Sequence, residues 1–504
     1  MDRLSHLLLY ISSSELSIAK KLIFFEGIIF FDLKKITTVI NTDINELKTQ
    51  ITNRFASCSD FIMREFAFEN AEGFVCAIRE LADKNYIAER ILKPLFLYGD
   101  FSRFDGFENV ITASVIKQCD NIDEICASLC TGSAFVSLEN GKLYTVVCSA
   151  DSYFGRSSGK SETDITTKGP QAGFVEDLEK NICLLRRIIR SPELKCENFT
   201  KGSVSNTRIA LLYIKGRASE KAIAVSREKL KRITASVIVD SGNVEQLIRD
   251  KKYGFFPSFG STEKVDKAAS LLAAGRVAII CDGSPFVVTA PFVFIEAIQS
   301  AEDYLRTPYY ATFMRALRFL SLLTALYLPS IYLILVEKRK ELMPESIYHI
   351  IEDLRKDIPV SLFVELLVML IIFEMLREVG IRMPRTVGDA VGIVGSIIIG
   401  DAATKAGIAS TSVILVIAIS AVANFVVPVY MNATVLLRLM FLIVSEIAGF
   451  AGLVTVSSAV LCGLCAKAEL DVPYMSPITP FRKRGMEDFI LSIPQKVLGR
   501  KEKM

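Results

Sequence analysis

The chain has 504 residues, a formal net charge of +3 and a hydrophobic content of 51%. A near-neutral chain without a long basic block is not typical of a nucleic-acid-binding protein. Because the sequence holds only two histidines, His6 and His349, most acid–base triads are excluded. Walker, nucleophile-elbow, zinc-protease and dinucleotide motifs are absent from the sequence. We therefore predict a protein that is not an enzyme and that needs no cofactor, metal ion or nucleic acid.

Hydropathy divides the sequence into two regimes. Residues 42–280 carry charges at the density of an ordinary globular protein, whereas residues 284–466 contain several long uncharged runs. Such runs are typical of helices that cross a lipid bilayer. The sequence therefore predicts an α/β soluble N-terminal region with two subdomains, followed by an all-α multi-pass transmembrane domain.

Residues 1–46 are predicted to be an N-terminal extension. Leu22–Phe31 is apolar but contains Glu26, and no small-residue cleavage site follows it, so it does not fit a secretory signal. The soluble region is accordingly expected in the cytoplasm. The 11 cysteines show no recurrent metal-ligand spacing and predict free thiols in a reducing compartment.

Between residues 47 and 283, segments with helical periodicity alternate with short β-branched or apolar runs. Val136–Leu138 and Leu143–Val147 flank Asn140-Gly141 and predict a β-hairpin. Further strands are predicted at Arg208–Ile214 and Val277–Cys281, and helices at Phe174–Ile189, Lys221–Ile233 and Val265–Ala274. A segment rich in Gly, Ser, Thr and Lys ends subdomain 1 (47–170) and precedes subdomain 2 (171–283).

The border between the two regimes carries a turn motif and a group of charges. Asp282-Gly283-Ser284-Pro285 suits a sharp turn. Phe286–Ile295 is apolar but too short to span a bilayer, so we expect a re-entrant or interfacial segment. The charges that follow either couple the soluble and membrane parts electrostatically or form a solvated collar among lipid headgroups. They are Glu302, Asp303, Arg306, Arg315 and Arg318.

Three long runs with at most one charge each predict transmembrane helices. They are Phe319–Val336, Ile408–Leu437 and Leu439–Ala466. The second run is too long for one straight span, and we expect it to break at Pro428. The third run contains Glu446, for which Arg438, two helical turns earlier, is a candidate partner.

A weaker apolar segment, Val360–Val379, contains Glu365 and Glu374. At about 100° per residue, their spacing places the two carboxylates on opposite faces of a helix. Two interpretations stay open for each of them and for Glu446. Each acid is either an ion-pathway or coupling residue inside a helix bundle, or a solvated acid of an interfacial helix.

The segment Val387–Gly400 is short and rich in glycine. Gly388, Gly392, Ser396 and Gly400 recur at four-residue spacing and form a stripe on one helix face. Such stripes predict close helix packing in a bilayer, although an irregular helix without a special partner has the same pattern. Pro384 precedes the segment, and Asp389 within it is a further candidate ion-pathway residue.

Several ordered motifs resemble the A-subunit family of spore germinant receptors (GerA type). They include KGPQAGFVEDLEKNICLLRRIIRSPELK at 168–195, RVAIICDGSPFVVTAPFVFIEAIQSAEDYLRTPYY at 276–310, FEMLREVGIRMPRTVGDAVGIVGSIIIGDAATKAGIAS at 373–410 and DVPYMSPITPF at 471–481. The resemblance covers residues 47–484. Within these motifs, the family-motif residues are Asp282, Gly283, Pro285, Glu302, Asp303 and Pro384.

The resemblance implies a function that composition alone does not indicate. It implies an A subunit in the inner membrane of the endospore, with its soluble region facing the spore core. The partners it implies are a permease-like B subunit, a lipoprotein C subunit, membrane lipid and further copies of the same chain. The implied role is nutrient signalling with ion release at germination. A secondary transporter and an orphan sporulation paralogue remain alternatives.

The hydropathy and the extent of the resemblance together set the domain boundaries that we expect. Residues 284–484 form the transmembrane domain, with four to six membrane segments. Residues 485–504 form a basic C-terminal tail beyond it.

Overall fold

The computed structural model describes residues 43–102, 104–150, 169–249, 254–383 and 400–481, together with residues 159, 161, 164, 488, 489 and 491. The chain divides into two compact units. The first comprises residues 1–157 and 182–197, and the second comprises residues 158–181 and 198–504. Most of the predicted N-terminal extension, residues 1–42, lies outside the described residues.

The first unit contains a five-stranded antiparallel sheet with the strand order β1-β2-β4-β5-β3. Its strands are β1 (Phe61–Phe68), β2 (Ala71–Ile78), β3 (Ile116–Gln118), β4 (Ala134–Glu139) and β5 (Leu143–Cys148). Helices α1 (Ile44–Arg54) and α2 (Ile122–Leu129) contribute Leu47, Ile51 and Ile125 to one core beside the sheet. The first unit also has a second hydrophobic core, to which three short helical segments contribute. They are Lys84–Tyr86, Ile87–Leu92 and Lys93–Tyr98.

The predicted β-hairpin is confirmed by the pairing of β4 with β5. Glu139 pairs with Leu143, so Asn140, Gly141 and Lys142 form the turn. Gly141 has a φ of 67°, a left-handed conformation that glycine adopts without steric penalty. The turn is thus one residue longer than the two-residue Asn-Gly turn that the sequence suggested.

A second five-stranded sheet has the strand order β6-β7-β9-β10-β8. Its strands are β6 (Leu194–Lys201), β7 (Thr207–Ile214), β8 (Gly260–Thr262), β9 (Val277–Cys281) and β10 (Val287–Ala290). The helices in this part of the chain are α3 (Leu178–Ile188), α4 (Glu220–Lys231), α5 (Ser241–Ile248) and α6 (Val265–Ala273). The structure therefore confirms the predicted strands and helices of this region and its mixture of helix and strand.

The segment Phe286–Ile295, expected to be re-entrant or interfacial, is instead partly a strand. Val287–Ala290 is β10, which pairs with β9 on one side and with β8 on the other. Val287 and Val288 are buried, so the segment is apolar because it lies inside a sheet. A short apolar run does not distinguish a buried strand from a membrane segment, which explains the wrong expectation.

Helices account for most of the chain after residue 307. They are α7 (Pro308–Leu333), α8 (Glu345–Arg355), α9 (Leu362–Arg382), α10 (Thr411–Phe425) and α11 (Met431–Ala466), and a π-helical turn, Ile334–Lys338, extends α7. Among the described residues, Pro308–Lys338 and Pro428–Ala466 are long and apolar enough to cross a membrane by length and composition. The break expected at Pro428 is confirmed, because α10 ends at Phe425 and a 3₁₀ turn, Pro428–Tyr430, precedes α11.

Helix α11 reverses direction at Gly449. A straight helix of its 36 residues would be about 54 Å long at about 1.5 Å per residue. Yet the hydroxyls of Tyr430 and Tyr474, which lie just before and shortly after the helix, are 3.4 Å apart. Gly449 has the non-helical angles φ 59° and ψ −143°. Residues 431–448 and 450–466 are therefore two antiparallel arms, which we call the helical hairpin.

The two arms of the helical hairpin pack against each other. Leu437 and Phe441 of the first arm share a hydrophobic core with Leu453 and Leu464 of the second. At Gly452 a β-carbon would lie 2.8 Å from a methyl carbon of Val444, so glycine allows the arms to approach closely near the turn. The predicted apolar helix over Leu439–Ala466 is therefore interrupted at Gly449, where the chain turns.

Candidate functional site: paired charges in the helical region

Glu365 is a fully buried carboxylate near the start of α9. It is 1% exposed. It accepts hydrogen bonds from the backbone N–H and the hydroxyl of Ser410, and from Nε of Arg355 at 3.3 Å. Because three donors satisfy it, the carboxylate ties α8 and α9 to the residue that caps α10.

Glu374 lies further along α9 and pairs with arginines on two helices. Its Oε1 accepts a hydrogen bond from Nη2 of Arg438 at 2.5 Å, and its Oε2 lies 2.8 Å from Nη2 of Arg377. Arg438 also donates to the hydroxyl of Ser420 on α10 at 3.0 Å and is 2% exposed. The group therefore joins α9, α10 and the first arm of the helical hairpin.

Arg438 was expected to pair with Glu446, and this expectation is wrong. Glu446 instead has Nζ of Lys338 at 3.7 Å from its Oε2. Two turns along one helix separate Arg438 and Glu446, whereas packing brings Glu374 of α9 directly to the guanidinium. A pairing between helices cannot be read from spacing within one helix, so the sequence did not reveal it.

The charges at the border form a buried clamp. Asp303 is 2% exposed and accepts hydrogen bonds from Nε of Arg315 at 3.2 Å and Nη1 of Arg318 at 2.8 Å. The buried aspartate differs from the solvated collar that the sequence left open. Glu302 makes a separate ion pair with Arg306, four residues later, at 2.8 Å. The clamp fixes the start of α7 against the 3₁₀ segment Ala301–Leu305.

The turn motif Asp282-Gly283-Ser284-Pro285 lies at the end of β9 in the second sheet. Asp282 accepts a hydrogen bond from the backbone N–H of Leu178 at 3.1 Å and pairs with Arg208 at 3.1 Å. Gly283 has a φ of 86° and donates its N–H to the carbonyl of Glu176 at 2.7 Å. These contacts hold the start of α3 beside the end of β9, which is a structural role. Pro285 follows in the same turn, two residues before β10 begins at Val287.

Five of the predicted residues fall between residues 384 and 399. Gly388, Asp389, Gly392, Ser396 and Pro384 lie outside the described residues. Gly400 is described, and no atom lies within 4 Å of the position that a β-carbon would take there. The proposed role of the glycine stripe in helix packing therefore stays a prediction.

The second sheet and its loops contact both ends of the helical hairpin, and we call these contacts the joint. They were not predicted from the sequence. The first part of the joint surrounds two buried tyrosines at the base of the helical hairpin. Tyr430 donates to the carbonyl of Phe294 at 2.7 Å, and the backbone N–H of Phe294 donates to the carbonyl of Tyr474 at 2.9 Å. Lys467 donates to the carbonyls of Phe256 at 2.8 Å and Pro257 at 3.1 Å.

The second part of the joint is a two-stranded hairpin, β11 (Ala468–Glu469) and β12 (Val472–Pro473), directly after α11. Leu470 in its turn is buried in the core of the second sheet with Ile209 and Val277. Glu469 and Lys229 of α4 form an ion pair at 2.6 Å with side chains 4% and 13% exposed. The motif DVPYMSPITPF contains Tyr474, so the motif was visible in the sequence although its contacts were not.

The first unit contains a second group of buried charges that the sequence did not indicate. Arg186 and Asp60 are both fully buried and form a bidentate ion pair, in which the distance from Nη2 to Oδ1 is 2.8 Å. Glu80 lies close by, and burial raises its pKa to about 7. All 11 cysteines are free thiols, and the described residues contain no group of side chains that fits a metal ion.

Comparison with known proteins identifies the family. The family described as "Bacillus/Clostridium GerA spore germination protein" matches residues 49–504. The chain belongs to the GerA family. It is 35% identical over 461 residues to spore germination protein KA of Bacillus subtilis, covering 90% of this chain and 84% of that protein. It is 31% identical over 444 residues to spore germination protein GerQA of Bacillus cereus, covering 88% and 89%.

A solved structure is also similar to part of this GerA-family chain. It is the N-terminal domain of the A subunit of the Bacillus megaterium spore germinant receptor GerK3. The sequence identity is 27% and the TM-score is 0.41, and the match covers 52% of this chain and 99% of that domain.

Proposed function

We propose that this GerA-family chain is the A subunit of a nutrient-germinant receptor in the inner membrane of the endospore. In this role it transduces a nutrient signal into ion release, together with a permease-like B subunit, a lipoprotein C subunit and further copies of itself. Its C-terminal helices form a multi-pass membrane domain, and its soluble N-terminal region faces the spore core. Family membership and relatives named as spore germination proteins support this proposal.

The contacts of the joint support the signalling part of the proposal. The second sheet and its loops hold both ends of the helical hairpin, through Tyr430 at its start and Lys467 and Glu469 at its end. A displacement of the sheet is therefore transmitted to both arms at once. Because the Lys229–Glu469 ion pair is largely shielded from water, its loss weakens this connection more than loss of an exposed pair would.

The paired acids support the ion-release part. Glu365 and Glu374 lie along a largely apolar helix, and each has a cationic partner from another helix or turn. Carboxylates are costly in a bilayer and therefore mark candidate ion routes. In this arrangement a permeating cation competes with a guanidinium at each acid. We infer that opening of the pairs gates the route.

The experiment compares two lysines of α4 that both pair with the β11–β12 hairpin. Lys229→Gln removes the buried pair, whereas Lys221→Gln removes the pair with Asp471, whose side chains are 76% and 61% exposed. Each variant replaces the wild-type gene in spores that lack other nutrient receptors. The measurement is the fall in optical density after nutrient addition, with protein levels checked by immunoblot.

We expect Lys229→Gln to slow germination severalfold and Lys221→Gln to behave like wild type. The charge exchange Lys229→Glu with Glu469→Lys should restore part of the rate, because it rebuilds the ion pair. Equal rates for all variants at equal protein levels would contradict a signalling role for the joint. Normal germination after deletion of the gene would contradict the receptor function itself.

A further inference from the structure

The tip of the helical hairpin is a break in an apolar helix. Gly449 interrupts the helix with φ 59° and ψ −143°. Such an interruption leaves backbone carbonyls of the preceding turn without their usual partners four residues later. Irregular backbone of this kind is tolerated among apolar helices where a polar partner satisfies it. The turn before Gly449 contains Ser445 and Glu446.

Two side-chain oxygens in the turn before Gly449 lack hydrogen-bond partners. Oε2 of Glu446 and Oγ of Ser445 are shielded from solvent and have no hydrogen-bond partner among the described residues. Ser445 is completely buried, and the Glu446 side chain is 34% exposed. A buried polar atom without a partner destabilises the folded state. The tip therefore favours a ligand that oxygen atoms can bind.

Lys338 is the cation nearest to this oxygen among the described residues. It ends the π-helical turn that extends α7, and its Nζ is 3.7 Å from Oε2 of Glu446. This separation is longer than a hydrogen bond, so the ammonium neutralises the carboxylate without satisfying it. The Lys338 side chain is 40% exposed and can swing away from the carboxylate toward water.

We propose that the tip is a binding site for an alkali cation, with Glu446 as its charged ligand. Carboxylate, hydroxyl and backbone carbonyl oxygens are the ligands that hard cations prefer. The ammonium of Lys338 occupies the position of the cation in this arrangement, and the cation binds after the Lys338 side chain moves away. The proposal rests on the proposed ion release, which it deepens by assigning one step of the route to Glu446.

The test uses the full-length protein purified in detergent. Thermal unfolding is followed by circular dichroism in potassium or sodium chloride, with N-methylglucamine chloride replacing the salt at constant ionic strength. A ligand that binds only the folded state raises Tm with its concentration. In Lys338→Gln the competing ammonium is gone. We expect its half-saturating cation concentration to be about tenfold lower than that of the wild-type protein, a difference of about 1.4 kcal/mol.

Two variants separate a specific site from general effects of salt. Lys338→Gln combined with Glu446→Gln should show no cation response, because the ligand charge is absent. Lys405→Gln removes an ammonium from an exposed pair with Asp401, and should respond like wild type. A Lys338→Gln protein with the same Tm in all three salts would overturn the proposal, and so would a response that persists in the double variant.

A further outcome concerns protons. If acidification stabilises Lys338→Gln while potassium and sodium have no effect, Glu446 takes a proton instead of a metal cation, and the proposal is overturned. These measurements use purified protein and need no nutrient response. Failure of cation binding is therefore distinguishable from failure of the receptor function, which germination of the deletion strain tests separately.

Discussion

Glu80 is a buried acid whose ionisation opposes folding of the first unit. It is 6% exposed, and its Oε2 has no hydrogen-bond partner among the described residues. Burial raises its pKa from 4.5 to about 7, and the charge of Asp60 adds to this effect. The charges of Arg79 and Arg186 lower the pKa, but by less than burial raises it.

The raised pKa predicts that stability falls as pH rises. Between about pH 4.5 and pH 7 the unfolded chain loses the proton while the folded chain keeps it, so the free energy of unfolding decreases. Above about pH 7 both states are ionised and the decrease stops. Glu80→Gln removes this loss, and we expect it to stabilise the first unit by about 3 kcal/mol at pH 8. Thermal unfolding of the full-length protein, followed by circular dichroism from pH 5 to pH 8, measures the change.

Glu69→Gln is the matched control for this prediction. Glu69 is exposed between β1 and β2, so the same substitution changes charge without affecting burial. Its pH profile should follow the wild-type protein. If Glu80→Gln keeps the wild-type slope between pH 5 and pH 7, ionisation of Glu80 does not limit the stability of the first unit.

At the scale of elements, the periodicity of apolar residues predicted helices and strands that bury one face. Helices such as Val265–Ala273 and strands such as Val277–Cys281 were found at their expected positions, because burial of one face is visible in the sequence. Strand β10 was missed because four buried residues carry too little pattern. The reversal in α11 was missed because a turn between two apolar arms needs no polar residue, only a residue that tolerates the backbone angles.

Gly449→Ala tests that explanation of the reversal. No atom lies within 4 Å of the position that the new β-carbon would take, so the effect comes from backbone conformation alone. Its φ of 59° and ψ of −143° are accessible almost only to glycine, and another residue there costs about 1–3 kcal/mol. We therefore expect a lower Tm for the full-length protein in detergent.

Gly463→Ala provides the comparison within the same helix. It also has open space at the β-carbon position, but it lies in the regular helix of the second arm. Alanine is favoured over glycine in a helix interior by about 1 kcal/mol, so this variant should keep or raise the Tm. A Gly449→Ala protein that is as stable as Gly463→Ala would show that the turn does not depend on glycine.

At the scale of the whole molecule, the sequence located the acids but not their partners. Glu365, Glu374 and Glu446 were singled out because charges are rare in apolar runs. Their partners, Ser410, Arg438 and Lys338, come from segments distant in sequence. Pairing therefore depends on how the helices pack, which composition and spacing do not encode. The same reason explains why the joint was not predicted.

The pairing changes how the ion-release proposal must be tested. Glu374→Gln alone leaves the buried guanidinium of Arg438 without its carboxylate, which costs about 3–5 kcal/mol and lowers the amount of folded protein. Glu374→Gln combined with Arg438→Gln also removes the buried guanidinium, so that only Arg377, whose side chain is 15% exposed, loses its carboxylate. We expect spores with this double variant, or with Glu365→Gln, to release potassium at an altered rate after nutrient addition, because the proposed gate has lost its charges.

The control lies one turn further along the same helix. Glu378 pairs with Arg382, and their side chains are 52% and 79% exposed. Glu378→Gln therefore changes the charge of α9 without affecting the contacts between helices, and potassium release should match the wild type. Release must be compared at equal receptor levels, measured by immunoblot of the spore membrane. Unchanged release from the Glu365 and Glu374 variants at normal levels would exclude these acids from the ion route and leave them a purely structural role between helices.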